Sequence, residues 1–89
     1  MNSSEDNSSF KSFSVKGSFL FIQIDAKTTL KRHKSISKRL AKTTAAQLTR
    51  FEILGDGEGV HWPLLDEDIS ADFLINYEKY QANNSKKAA

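Results

Sequence analysis

The chain has no cysteine, one proline (Pro63), one tryptophan (Trp62) and four glycines in 89 residues. Without thiols it builds neither a disulfide framework nor a thiolate metal site, which excludes the stapled secreted miniproteins. No apolar run reaches the roughly 18 residues of a membrane span, and no basic stretch precedes an apolar one at the N-terminus. A non-membrane, cytoplasmic protein is the expectation. Apolar residues are also scarce, at 38%. A chain of this length buries only about 60% of its unfolded surface, so one small core is expected. Homodimerisation is one route to further burial. The rare residues are not scattered: Gly55, Gly57, Gly59, Trp62 and Pro63 crowd into a single segment.

The net charge of +2 conceals a division. From Ala26 to Arg50 stand Lys27, Lys31, Arg32, Lys34, Lys38, Arg39, Lys42 and Arg50, with no acid. From Phe51 to Glu78 stand Glu52, Asp56, Glu58, Asp66, Glu67, Asp68, Asp72 and Glu78, with no Lys or Arg. Opposite blocks of this size attract, within one chain or between chains. In one reading they neutralise each other across the fold, each surface pair contributing little. In the other the basic segment 27–50 stays exposed. Lys31, Arg32, Lys34, Lys38, Arg39 and Lys42 would then line one surface and neutralise nucleic-acid phosphates. No aromatic residue interleaves these bases, so stacking on nucleobases is unsupported and contact would be sequence-independent.

Residues 1–9 and 82–89 are polar and are expected to be a disordered and a flexible tail around one domain, 10–81. Phe10, Phe13 and Val15 alternate loosely before a turn at Lys16-Gly17. Phe19 to Ile24 is rich in aromatic and β-branched residues and reads as a strand. Phe19 and Phe21 take one face; Leu20, Ile22 and Ile24 take the other. With both faces apolar, the strand is central, or Phe19 and Phe21 meet another molecule. Asp25-Ala26-Lys27 turns the chain into a third strand, about Thr28 to His33.

Ser35 to Ala41 reads as a helical turn with Ile36 and Leu40 on one side. Thr44-Ala45-Ala46-Gln47 has the spacing of a capping box and starts a short helix ending near Arg50. Phe51 to Leu54 alternates as a strand. Ser70 caps a last helix, with Ile69 and Leu74 placed for a hydrophobic staple and Asp72 in the first turn. Phe73, Leu74, Tyr77 and Tyr80 form its buried stripe. The class is α+β: a small, mainly antiparallel sheet of three to four strands with two or three short helices.

Residues 55–69 read Gly-Asp-Gly-Glu-Gly-Val-His-Trp-Pro-Leu-Leu-Asp-Glu-Asp-Ile. Glycines at alternate positions give this segment a fixed irregular path. His61 invites a metal or catalytic role, but a zinc site needs three or four ligands and the other histidine is His33. General acid–base work needs a second polar group beside His61, with Asp66 or Asp68 the candidates. Asp66-Glu67-Asp68 lacks the spacing of a calcium loop, and its charge suits the N-terminal end of the helix after Ser70. The glycine run lacks the lysine of a phosphate loop, and its own acids repel phosphate. No catalytic, cofactor-binding or metal-binding residue is assigned, and no enzymatic activity or cofactor is expected. Gly55, Gly57, Gly59, His61, Trp62, Pro63, Asp66, Asp68 and Ser70 read as a structural signature.

The stretch from Gly55 to Ser70, followed by Phe73-Leu74, resembles the bacterial family catalogued as domain of unknown function 2442. That family carries G-D-G-x-G-[IV]-H-W-P-x-L-D-E-D-I-S before a short apolar helix start. Thr44-Ala45-Ala46-Gln47 and Phe51 to Gly55 are similar to its T-P-E-Q and [WF]-E-L-I-G, with Ala45 in place of proline. The resemblance is strong from Leu40 onward and weaker from Phe10 to there. The departures lie upstream: Ala26 replaces the usual turn glycine, His33-Lys34 a Pro-Leu, and Lys38 a second proline. The resemblance implies an α+β fold, no established enzymatic activity, and kinship with antitoxin-like or regulatory small proteins. Some members fuse the domain to a helix-turn-helix, for which this chain is expected to have no room. The functional expectation is a small non-enzymatic protein-binding module acting through its sheet face or edge, with Phe19 and Phe21 as the interface. A protein partner or a second copy is the first expectation, and nucleic acid bound by segment 27–50 is the alternative. No membrane partner is expected.

Overall fold

The computed structural model describes residues 8–81, so the expected tails lie outside it except for Ser8 and Ser9. Strands β1 (Ser12–Lys16), β2 (Phe19–Asp25) and β3 (Thr28–His33) form one antiparallel sheet in the order β1-β2-β3. Strands β4 (Glu52–Leu54), β5 (Gly59–Trp62) and β6 (Glu67–Ser70) form a second, in the order β4-β5-β6. Between the sheets run a 3-10 turn (Lys34–Ile36) and helices α1 (Lys38–Ala41) and α2 (Ala45–Leu48). Helix α3 (Ala71–Ile75) and a helical turn over 77–81 close the described chain. The fold is α+β, as the sequence implied, with its strands sorted into two small sheets.

The difference lies in residues 55–69, which are two tight turns around β5 rather than one irregular loop. Val60 and Trp62 turn inward and His61 outward, a period-2 pattern only four residues long that the flanking glycines obscure. The acids are likewise not a lead-in to the helix. Asp66 sits in the β5–β6 turn at φ 53°, and Glu67 and Asp68 belong to β6.

The two sheets and the helices share one core. Phe13, Leu20 and Ile22 come from the first sheet, Val60, Trp62 and Ile69 from the second, and Leu40, Leu48 and Leu74 from the helices. Trp62 is wholly buried, and its ring meets Phe13 edge-on at 5.9 Å between centroids. Phe51 meets Phe13 edge-on at 4.8 Å and lies 6.3 Å from Trp62, so the three rings form one cluster. Helices of four or five residues do not persist alone. Here each is held by a hydroxyl cap and by a buried leucine. Ser37 accepts from Leu40 N–H and Ser70 from Phe73 N–H, while Thr44 and Gln47 form the expected capping box.

Gly57 fixes the turn between β4 and β5. Its φ of +91° suits glycine, and its carbonyl accepts from Phe10 N–H at 2.9 Å. A Cβ there would stand 2.0 Å from the Phe10 carbonyl oxygen. Gly57→Ala is therefore expected to cost about 2 kcal/mol or more, the strain of left-handed backbone plus a displaced chain. Gly17, at φ +62° with nothing within 4 Å of such a Cβ, is the control. Gly17→Ala should cost only about 1 kcal/mol in the same urea titration.

Candidate binding face of the first sheet

Antiparallel register places directly opposed side chains on one face. On the face of the first sheet turned from the core, Phe19 lies between Lys16 and His33, and Phe21 between Ser14 and Lys31. Gln23 lies between Ser12 and Thr29 and accepts a hydrogen bond from Ser12 at 2.9 Å. Lys31 reaches diagonally and sets Nζ 4.3 Å from the centre of the Phe19 ring, while His33 meets that ring edge-on at 5.2 Å. His33 is itself held, since Nδ1 accepts from Ser35 N–H. Both phenylalanines are partly buried, and neither packs against the core.

The predicted basic surface does not form as one patch. Arg32 points to the opposite, inward face of β3, with its side chain only 10% exposed. Its guanidinium donates to the carbonyls of Leu74 and Ile75 at 2.8 and 2.9 Å and to Glu78 at 2.5 and 3.1 Å. A largely buried arginine side chain bonded to the end of α3 is not free to meet phosphate. The cause is the two-residue alternation of β3, which turns Lys31 outward and Arg32 inward. Lys34 donates to the Thr43 carbonyl, and Arg39 to the Leu65 and Asp66 carbonyls in the β5–β6 turn. Of the six predicted cations, Lys31 joins the phenylalanines, and Lys38 and Lys42 stand exposed near α1. The basic and acidic blocks meet directly at Arg32–Glu78 and, at 3.9 Å, at Arg39–Glu67.

Within the structural signature, Trp62 Nε1 donates to the Leu48 carbonyl at 2.9 Å, which ties β5 to the end of α2. His61 is opposed by Glu52 on β4 and Asp68 on β6, and its Nδ1 is hydrogen-bonded to Asp68. A groove of about 670 Å³ runs past Leu54, Ile69, Phe73 and Tyr80, and takes in Asp68 but neither His61 nor Asp66. The imidazole and the acids thus do not converge on one concavity. Among the described residues no three His, Cys, Asp or Glu side chains cluster as a metal site would require.

The segment after α3 is anchored by carboxylates. Asp72 accepts from the Tyr80 hydroxyl, from Asn76 at 2.8 Å and from Ser8 at 3.3 Å. The Tyr80 hydroxyl and the Asn76 amide hold the Asp72 carboxyl below its ordinary range, and the same contact pushes Tyr80 up. Arg32 holds Glu78 down. Lowered carboxyls stabilise above the ordinary carboxylate range, and that contribution is lost as pH falls through their lowered values. A raised tyrosine stabilises below its ordinary value, and that is lost as pH rises through the raised one. The segment is therefore expected to stay docked from about pH 4 to about pH 10 and to loosen outside that window. The ring resonances of Tyr77 and Tyr80 report it.

The arrangement defines a small two-sheet α+β domain whose first sheet carries aromatic and basic residues on the face turned from the core. The model of the family described as "Protein of unknown function (DUF2442)" matches residues 24–80, and the chain belongs to that family. Among solved structures, it is similar to a protein of unknown function from Rhodospirillum rubrum ATCC 11170, at 24% identity and a TM-score of 0.67. That match covers 76% of this chain and 84% of the other, and it speaks to the fold alone. The comparison with curated proteins gives no match. No helix among the described residues is long and apolar enough to cross a membrane.

The signal that sequence reasoning missed is cross-strand. The turns at Gly17-Ser18 and Ala26-Lys27 place Lys16 and His33 opposite Phe19, and Lys31 opposite Phe21. Cations and aromatics far apart in sequence thereby interleave in space. Pairing the strands through the two turns would have found it.

Proposed function

We propose that the chain is a non-enzymatic binding module, a small regulatory or antitoxin-like protein, that docks an anionic macromolecule on the outer face of β1-β2-β3. One observation carries the reading: Phe19 and Phe21 stand off the core, on one face of the sheet, with Lys16, Lys31 and His33 as their cross-strand neighbours. Two large apolar rings set together outside the core, each partly open to solvent, mark a contact site more often than a stabilising device.

The charge of the face disfavours the homodimer expected from the sequence. Two copies pressed face to face would oppose Lys16 and Lys31 with their own counterparts, and like charges juxtaposed cost several kcal/mol. A second copy offering its acidic side instead would form a head-to-tail contact, which builds a ring or a filament and not a two-fold dimer. The partner is a different, acidic molecule.

If the face serves binding, the fold does not depend on it. Phe19→Ser with Phe21→Ser should lower the unfolding free energy by less than about 1 kcal/mol per site. A cost like that of emptying the core, about 3–5 kcal/mol for a lost aromatic, would make the face structural and sink the reading.

A further inference from the structure

We propose, resting on that reading, that the occupant of this face is single-stranded RNA, with Phe19 and Phe21 each stacking a base and Lys16 and Lys31 meeting the phosphates between them. The rings project from alternate residues of the central strand, about 7 Å apart along it. Successive bases of an extended single strand can each take one ring, and every base offers a π-face. The ring of Phe19 already receives a cation, Lys31 Nζ at 4.3 Å. A base entering that position displaces the ammonium toward the backbone, where a phosphate accepts it. Attraction to the phosphates and access to the ring are thus linked in one side chain.

The remaining neighbours favour RNA over an acidic protein. Protein anchors sit among apolar contacts that exclude water. Around these two rings the face instead carries Ser12, Ser14, Gln23 and Thr29, short donors and acceptors suited to base edges and to the 2′-hydroxyl. A duplex fits poorly, because its bases are already stacked on one another and offer the rings no free face. The exposed Lys38 and Lys42 belong to α1 and its C-cap, not to this face, and the assignment does not use them.

The test is fluorescence anisotropy of the full chain with a labelled short oligouridylate, its deoxy counterpart, an RNA duplex and a polyglutamate peptide. The oligouridylate should bind best. Phe19→Ala and Phe21→Ala should each weaken it about fivefold or more, with the circular dichroism spectrum unchanged. Lys16→Gln and Lys31→Gln should each flatten the slope of log affinity against log salt by about 0.7. Duplex or deoxy strand binding as tightly as the oligouridylate, or affinity untouched by loss of both rings, overturns the RNA assignment. Polyglutamate bound in a phenylalanine-dependent way, with no binding of the oligouridylate, overturns it too but leaves the docking face standing. If neither probe depends on Phe19 and Phe21, both readings fall.

Discussion

Trp62→Ala should lower the unfolding free energy by about 3–5 kcal/mol, measured by urea titration followed by circular dichroism. A domain of this size holds about 5–10 kcal/mol in all, so the variant should lose between about a third and all of its stability. The side chain is wholly buried and touches both sheets, since its ring lies edge-on to Phe13 while its own strand pairs within the second sheet. Removing it opens a cavity where the sheets meet and removes the donor to the Leu48 carbonyl. Trp62→Phe separates the two effects. It keeps most of the volume and leaves that carbonyl without its donor, which should cost about 1–3 kcal/mol. Equal costs for the two variants would show that the hydrogen bond, not the packing, dominates.

Arg32→Met should cost about 2–4 kcal/mol, although the residue stands in a block that reads as a charged surface. Methionine retains the stem but strands the Leu74 and Ile75 carbonyls at the end of α3 and releases Glu78. Lysine at the same site should recover only part of the loss, because one ammonium does not span two carbonyls and a carboxylate. Lys38→Gln and Lys42→Gln, exposed on α1 and its cap, should each change stability by less than about 0.5 kcal/mol. Thermal midpoints order the four variants. The carboxylate partner itself contributes little, since the Glu78 side chain is 76% exposed and screened by water. The cost comes from the carbonyls.

Much of this fold was legible because its local signals are strong. The capping box at Thr44 and Gln47, the cap at Ser70 and the aromatic, β-branched run from Phe19 to Ile24 each have a specific physical cause, and each forms as read. Asp25-Ala26-Lys27 also turns as expected without the glycine usual in its family. The Asp25 carboxylate accepts from Lys27 N–H, and Ala26 is not at positive φ. What the sequence hid depends on pairing. Strands β5 and β6 are four residues each, too short for period-2 alternation to stand out from glycines and acids. The inward turn of Arg32 follows from β3 register, which a run of bases masks. Lys16, Lys31 and His33 gather around Phe19 and Phe21 only after two hairpins close.

The central claim is that the outer face of the first sheet is where this protein binds. Amide and side-chain NMR shifts of the labelled chain, followed as oligouridylate is added, test it most directly. Shifts should concentrate at Lys16, Phe19, Phe21, Lys31 and His33, saturate together, and leave Lys38, Lys42 and His61 in place. Shifts centred on Lys38 and Lys42, or none on the two phenylalanines while the RNA is bound, would contradict it.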